Sequence, residues 1–384
     1  ISKLRLLNTL MAIAKTVKRW VFWTHLILGL VAGIFIFLMS LTGFLLTYER
    51  QFIELDEMRY RVDVPQNQQR LSTDNIVDKL QALHPETPHI YVRWVNRDGA
   101  AVPAWAGRDS YLFHPYTGEI LREGEGNVAL VFHWLTNLHR YLLLEGELKG
   151  IGKTVNGYAN LVFIFLIVSG AYLWLPNKLR LASFKQHLWF RHHYTNRHHR
   201  RRQWHLVLGV WSIPVLFIIA ITATLFHFSW ANVALYGFFG EQVPPREQHE
   251  EVTSLSLDVV DYETLFLAAQ NHANSNDYDD WYSMWMEIGE HEYEARFFID
   301  KSIGHRQSMS YSLYFDTRSG EVTKVLRKED WSRGGQAWGT ARFLHTGEHF
   351  GFIGQTIAGL FSLLACYLVY TGFMLGIKRL KASK

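Results

Sequence analysis

A single cysteine, Cys366, stands in a chain of 384 residues, so no intrachain disulfide can form and neither a cysteine zinc site nor a thiolate-held cluster can be built. Acidic residues are missing altogether from three segments, 1–19, 177–203 and 378–384. Charge of either sign is missing from four long stretches: Trp20–Tyr48, Asn156–Trp174, His205–Ser229 and Gly351–Ile377. Each exceeds the roughly 18 residues that cross a bilayer's hydrocarbon as a helix, so the chain reads as a membrane protein. No G-x-G-x-x-G opens a soluble βαβ unit, which leaves no nicotinamide or flavin domain. Gly146–Thr154 fails as a phosphate loop, because its first glycine is one place off and a span follows.

What is present sets the orientation. Seventeen of the 39 Lys and Arg fall in the three acid-free segments: Lys3, Arg5, Lys15, Lys18 and Arg19 in the first, Lys178, Arg180, Lys185, Arg191, Arg197, Arg200, Arg201 and Arg202 in the second, Lys378, Arg379, Lys381 and Lys384 in the third. Short loops rich in Lys and Arg stay cytoplasmic, so both termini are expected inside and both large polar segments outside. The first apolar run is too long for a signal peptide, and no small-residue cleavage site follows Leu41-Thr42-Gly43. The expected order is cytoplasmic 1–19, span 20–48, outer segment 49–152, span 153–176, basic loop 177–203, span 204–229, outer segment 230–350, span 351–377 and tail 378–384. Outer domains free of cysteine fit a bacterial inner membrane facing the periplasm.

The two polar segments share one plan. Ser72-Thr73-Asp74 opens a helical pattern that stops at His84-Pro85. Strand patterns follow at His89–Val95, Ala101–Ala106 and Tyr111–Phe113, the last turning through His114–Gly118 into Glu119–Leu121. The second segment repeats this with a helix from Tyr262, strands at Trp281–Ile288 and Tyr293–Asp300, and a hairpin at Tyr314–Val322. The likeness continues into the spans: Leu138-His139 matches Leu344-His345, Gly152–Gly157 matches Gly354–Gly359, and Gly170 matches Gly372. The chain is therefore expected to be two parallel repeats of span, outer domain, span, related by an axis along the membrane normal.

Histidines carry the chemistry. His25-Leu26-Ile27-Leu28-Gly29 and His205-Leu206-Val207-Leu208-Gly209 place one H-L-x-L-G signal at two membrane entrances, each just after a basic cluster. A polar ring inside a bilayer is costly and needs a partner. The repeat makes His25 and His205 mates near the cytoplasmic face, and His139 and His345 mates near the outer face. Gly29 and Gly209, four residues on, share the face of each inner histidine and give clearance to a flat group. Two imidazoles facing across a bundle are the axial pattern of b-type haem, and full occupation by protein ligands points to electron transfer. A lone histidine at a helix start is more often a capping residue; four at repeat-related positions argue for ligation. Zinc or copper is disfavoured, since a pair supplies only two strong ligands and no span holds a carboxylate.

His133, His227 and His349 are ranked as alternates at the outer face, His227 aligning with Thr47. The loop His192-His193 and His198-His199, interleaved with arginine, reads as a lipid-facing basic loop and not as a nucleic-acid surface. The Trp281–Trp285 and Trp331–Trp338 stretches read as core or interfacial belt.

These motifs together resemble the PepSY-associated transmembrane proteins: H-L-x-L-G at the first and third spans, Leu138-His139-Arg140 before the second, Leu344-His345-Thr346-Gly347 before the fourth, and outer α+β segments similar to PepSY domains. The resemblance covers nearly the whole chain, and extends to haem-containing inner-membrane ferric-siderophore reductases of the ferrioxamine type. It implies two b haems with His25, His205, His139 and His345 as axial ligands, electrons from a cytoplasmic reductase or quinol, and a periplasmic ferric siderophore, of hydroxamate type, as substrate. Two other readings stand beside it: a non-enzymatic PepSY module that binds or inhibits an extracytoplasmic protein, and a transporter of iron or its chelate.

Overall fold

The computed structural model describes residues 2–66, 69–176, 184, 187–245, 259–303 and 306–382, with 2–12 and 307 described by backbone only. Of the basic residues counted above, Lys178, Arg180, Lys185 and Lys384 lie outside the described residues. In chain order the elements are α1 (Ser2–Leu45), α2 (Glu49–Glu57), α3 (Thr73–Leu83), β1 (Ile90–Val95), β2 (Val102–Ala106), β3 (Asp109–Phe113), β4 (Ile120–Glu123), α4 (Asn127–Tyr141), α5 (Lys149–Trp174) and α6 (Arg197–His227). There follow α7 (Ser229–Phe238), α8 (Tyr262–Ser275), β5 (Ser283–Ile288), β6 (Glu294–Asp300), β7 (Ser310–Asp316), β8 (Val322–Leu326), α9 (Arg333–Thr346) and α10 (Gly351–Lys381). They form two units, one of residues 1–47, 134–232 and 341–384, the other of 48–133 and 233–340.

In the first unit α1, α5, α6 and α10 are long and apolar enough to cross a membrane. They close a ring in which α1 packs on α5 and α10, and α6 packs on the same two. The helices bearing His25 and His205 thus occupy opposite corners. Side chains such as Val31, Ile34, Val168, Ile221 and Leu360 stay exposed on all four helices, as a lipid-facing surface requires. Close approach comes from small residues: the Phe373 ring lies over Gly33, the Leu30 side chain over Gly376, His227 and Phe228 against Gly157, and Thr47 against Gly359. Asn196 caps α6 by accepting from the His199 amide at 2.9 Å. Residues 134–152 and 341–350, which the sequence reading gives to the outer segments, group with the spans, so His139 and His345 fold with the helices and not with the strands.

The second unit holds one antiparallel eight-stranded sheet, ordered β4-β3-β2-β1-β5-β6-β7-β8. The sequence reading sets out two outer domains; the structure joins them through β1 and β5, in register from Ile90 opposite Ile288 to Val95 opposite Ser283. Two separate four-stranded sheets would each leave a long edge with unpaired amides, and this pairing removes both. One face buries Ile90, Val92, Trp94, Met284, Met286, Phe297 and Ile299 against Ile76, Leu80, Leu265 and Phe266 of α3 and α8.

These two helices cap each other. Asp74 of α3 accepts from the Tyr262 and Glu263 amides at 2.8 and 3.0 Å, and Glu263 of α8 accepts from the Thr73 amide and hydroxyl at 2.6 and 2.7 Å. Each carboxylate thereby meets the positive end of the partner helix. Glu54 and Glu57 of α2 hold Arg93 of β1 at 2.9 and 3.0 Å, and Glu54 also holds Arg97 at 3.1 Å. Burial pushes the Glu57 carboxyl above its ordinary value, with the Arg93 charge opposing.

Candidate functional site

Each of the four predicted histidines sits against a hydroxyl-bearing residue of another helix. His25 on α1 reaches Ser169 of α5 at 2.8 Å, and His205 on α6 reaches Thr371 of α10 at 2.9 Å. His139 on α4 reaches Thr42 of α1 at 2.8 Å. His345 on α9 reaches the Ile219 carbonyl of α6 at 2.9 Å, with Thr222 further off at 3.4 Å. In all four the ring atom engaged is Nδ1.

The acceptors decide the tautomer. Thr371 donates its own hydroxyl proton to the Tyr367 and Leu368 carbonyls, both at 3.0 Å, and Thr42 donates to Leu38 at 2.6 Å. Ser169 donates to Leu166 at 3.3 Å, and Thr222 to Ile218 at 2.7 Å. A hydroxyl whose proton is committed can only accept, and the Ile219 carbonyl accepts in any case. Each Nδ1 therefore carries the proton and donates it. Among the described residues no protein group bonds to Nε2 of any of the four rings. All four rings are half-buried while their hydroxyl partners are buried, Thr371 fully and Thr42, Ser169 and Thr222 within a few per cent.

The histidines fall into two groups. His25 and His205 lie within electrostatic range of each other across the bundle. His139 lies within range of His345 and of His227, and Arg140 is near both members of that outer group. The alternates separate. His133 belongs to the sheet unit, where its mostly exposed ring pairs with Glu125 at 2.7 Å. His349 stands exposed, edge-on to the Phe350 ring. His227 donates from Nδ1 to the Lys153 carbonyl at 3.1 Å and packs on Gly157, while Thr47, which aligns with it in sequence, packs on Gly359.

Glycines mark where the rings lie. A Cβ placed on Gly170, Gly372 or Gly43 would come 3.5 Å from Cε1 of His25, His205 or His139 respectively. Of the two clearance glycines, Gly209 has no heavy atom within 4 Å of such a Cβ, and Gly29 would meet only Leu166 at 3.8 Å. Gly152 abuts the Tyr141 backbone and Gly354 abuts that of Gly347, which ties each outer-histidine helix to the span that follows. Asn156, fully buried, adds a donor to the His139 carbonyl at 2.9 Å.

A family model describing the PepSY-associated TM region matches residues 22–379. The chain belongs to that family. No curated protein matches it. The family match spans both H-L-x-L-G motifs, both outer-histidine helices and the whole sheet, so the PepSY-associated region here is the entire two-unit assembly of elements described above.

The donor set of this PepSY-associated chain suits an ion whose remaining positions a macrocycle fills. What the helices offer is imidazole in pairs, each ring held at Nδ1. Nδ1 held by a hydroxyl or carbonyl with Nε2 left to ligate is the arrangement that metal-bound histidines adopt. The hydroxyl partners escape the sequence reading, although their signal lies in the same repeat: Ser169-Gly170 aligns with Thr371-Gly372, and Thr42 stands to His25 as Thr222 stands to His205.

Proposed function

We propose that the protein is a di-haem transmembrane electron-transfer protein that reduces a periplasmic ferric siderophore and releases Fe(II), with electrons drawn from the cytoplasmic side. The observation that carries this reading is the set of four imidazoles in two pairs, each with Nδ1 anchored on a different helix of one four-helix ring and Nε2 unbonded. His25 and His205 would hold one haem b and His139 and His345 the other, and the groups supply one-electron redox chemistry when bound.

The chain's own part is to orient and insulate. The helices keep four neutral imidazoles in one tautomer, with an apolar cluster of Ile167, Leu216, Ala220 and Ala365 packed among the spans. Carboxylates are absent from all four apolar stretches, which therefore lack the acidic sites that cation-coupled transport uses. The acid-free segments with their arginines and lysines support cytoplasmic termini, a cytoplasmic loop around 177–203, and a periplasmic sheet unit in a bacterial inner membrane. The symmetric strand order and the matched histidine anchors support two parallel repeats. A cytoplasmic reductase or quinol is the donor, and a hydroxamate-type ferric chelate is the acceptor. Its hard oxygen donors hold Fe(III) far better than Fe(II), so a single electron loosens the metal without breaking the organic ligand.

Protein purified after haem-sufficient expression is expected to show a Soret band, and dithionite-reduced protein is expected to lose its reduced α-band when ferric hydroxamate siderophore is added. Colourless protein that co-purifies with a peptidase supports a binding module. Chelate uptake by vesicles without reductant supports a transporter.

A further inference from the structure

The four spans carry four dipeptides of one kind. Ser169-Gly170, Thr371-Gly372, Thr42-Gly43 and Thr222-Ala223 each pair a hydroxyl with a small residue, and each lies against one of the four histidines. In the three glycine pairs the hydroxyl meets Nδ1 at 2.8, 2.9 and 2.8 Å, and a Cβ on the glycine would come to 3.5 Å from the ring's Cε1 edge. In the alanine pair the hydroxyl stands off at 3.4 Å and the ring takes the Ile219 carbonyl instead. Such hydroxyls have an ordinary occupation in helices, donating back to the carbonyl three or four residues earlier, and all four do so here. That back-bond is what leaves each with only a lone pair to present.

We propose that these dipeptides are histidine seats, and that Ser169, Thr371, Thr42 and Thr222 are positioning residues that fix the imidazoles as Nδ1–H tautomers, whose Nε2 would hold haem iron. The inference rests on the haem reading above and deepens it. A neutral hydroxyl acceptor leaves the imidazole neutral, where a carboxylate would draw its proton and strengthen it as a ligand. The inner seats use hydroxyls at short distance on both sides, whereas one outer seat relies on a backbone carbonyl. Removing a hydroxyl therefore weakens the inner pair more than the outer one.

The test is the double variant Ser169→Ala and Thr371→Val, which removes both inner hydroxyls with little change of volume, beside Thr371→Ser, which keeps one. Haem per chain is read by pyridine haemochrome after challenge with a haem-scavenging apoprotein, together with the low-spin EPR signals and a redox titration. The expected result is inner-site haem affinity lowered at least tenfold, as loss of a histidine's supporting partner costs. One EPR signal and one redox wave are expected to shift while the other stays, and Thr371→Ser to match the wild type. A double variant that holds both haems with unchanged signals and potentials overturns the proposal while the haem reading stands. A wild type that carries no haem overturns both.

Discussion

Replacing Gly152 by alanine tests how the outer histidine is placed. A Cβ at that position would stand 2.7 Å from the Tyr141 carbonyl carbon and 3.1 Å from its Cα, with the carbonyl oxygen closer still. Ordinary contact begins near 3.4 Å, so α5 must withdraw from the end of α4 by about 0.7 Å or more. One bond spans that gap: the 2.9 Å bond from Asn156 to the His139 carbonyl. Stretched by about 0.7 Å, it reaches roughly 3.6 Å, where a hydrogen bond has failed. Overpacking costs about 1–3 kcal/mol, and each interhelical hydrogen bond in a membrane protein about 0.6 kcal/mol. The sum, roughly 2–4 kcal/mol, amounts to about 30- to 1000-fold in affinity if the outer site bears it. Haem per chain by pyridine haemochrome is expected to fall from two towards one, with the inner EPR signal intact. Gly150→Ala is the control, since a Cβ there meets nothing within 4 Å and should at most stiffen the helix. Gly152→Ala protein with two haems, unchanged signals and an unchanged thermal midpoint would refute the reasoning.

The other expectations concern both units. His133→Ala and His349→Ala should keep full haem content, because the first ring pairs with Glu125 and the second stands exposed beside Phe350; a lost haem in either variant would reassign the outer ligands. Asp74→Ala removes the acceptor for the Tyr262 and Glu263 amides at the start of α8, and should cost about 1–2 kcal/mol, read as a lowered thermal midpoint of the sheet unit. Asp316 accepts from the Arg318 side chain and from the Arg318 and Ser319 amides, which hold its carboxyl down at about 2 against an ordinary 3.8. A depressed carboxyl stabilises above the unfolded value and loses that effect as pH falls through the folded one. The gap in thermal midpoint between wild type and Asp316→Asn should therefore narrow between pH 4 and 2, and a constant gap would contradict it.

The spans were legible because long runs without charge have few other uses, and the strands because alternation and turn chemistry agree. At the two matching hairpins the chain even solves one problem twice: Gly118 and Gly320 take φ of +67° and +71°, while His114 Nδ1 in one and Asp316 in the other accept from the turn amides. What stayed hidden was non-local. The pairing of Ile90–Val95 with Ser283–Ile288 joins segments nearly two hundred residues apart, and each edge alone reads as the margin of a separate sheet. The α2 helix is held by Arg93 of β1 and Arg97 just beyond it, about 40 residues on, a match that no local pattern announces. The inner pair was legible through its H-L-x-L-G repeat; the hydroxyls that hold it were not, because Ser and Thr in a span so often serve only their own helix.

The central claim is that four anchored imidazoles hold two b haems. An absorption spectrum of the purified protein with a pyridine haemochrome assay tests it most directly. The expected result is two b haems per chain, falling to one in His205→Ala and in His345→Ala; a chain without a Soret band, or a His205→Ala variant that keeps its full complement, would contradict it.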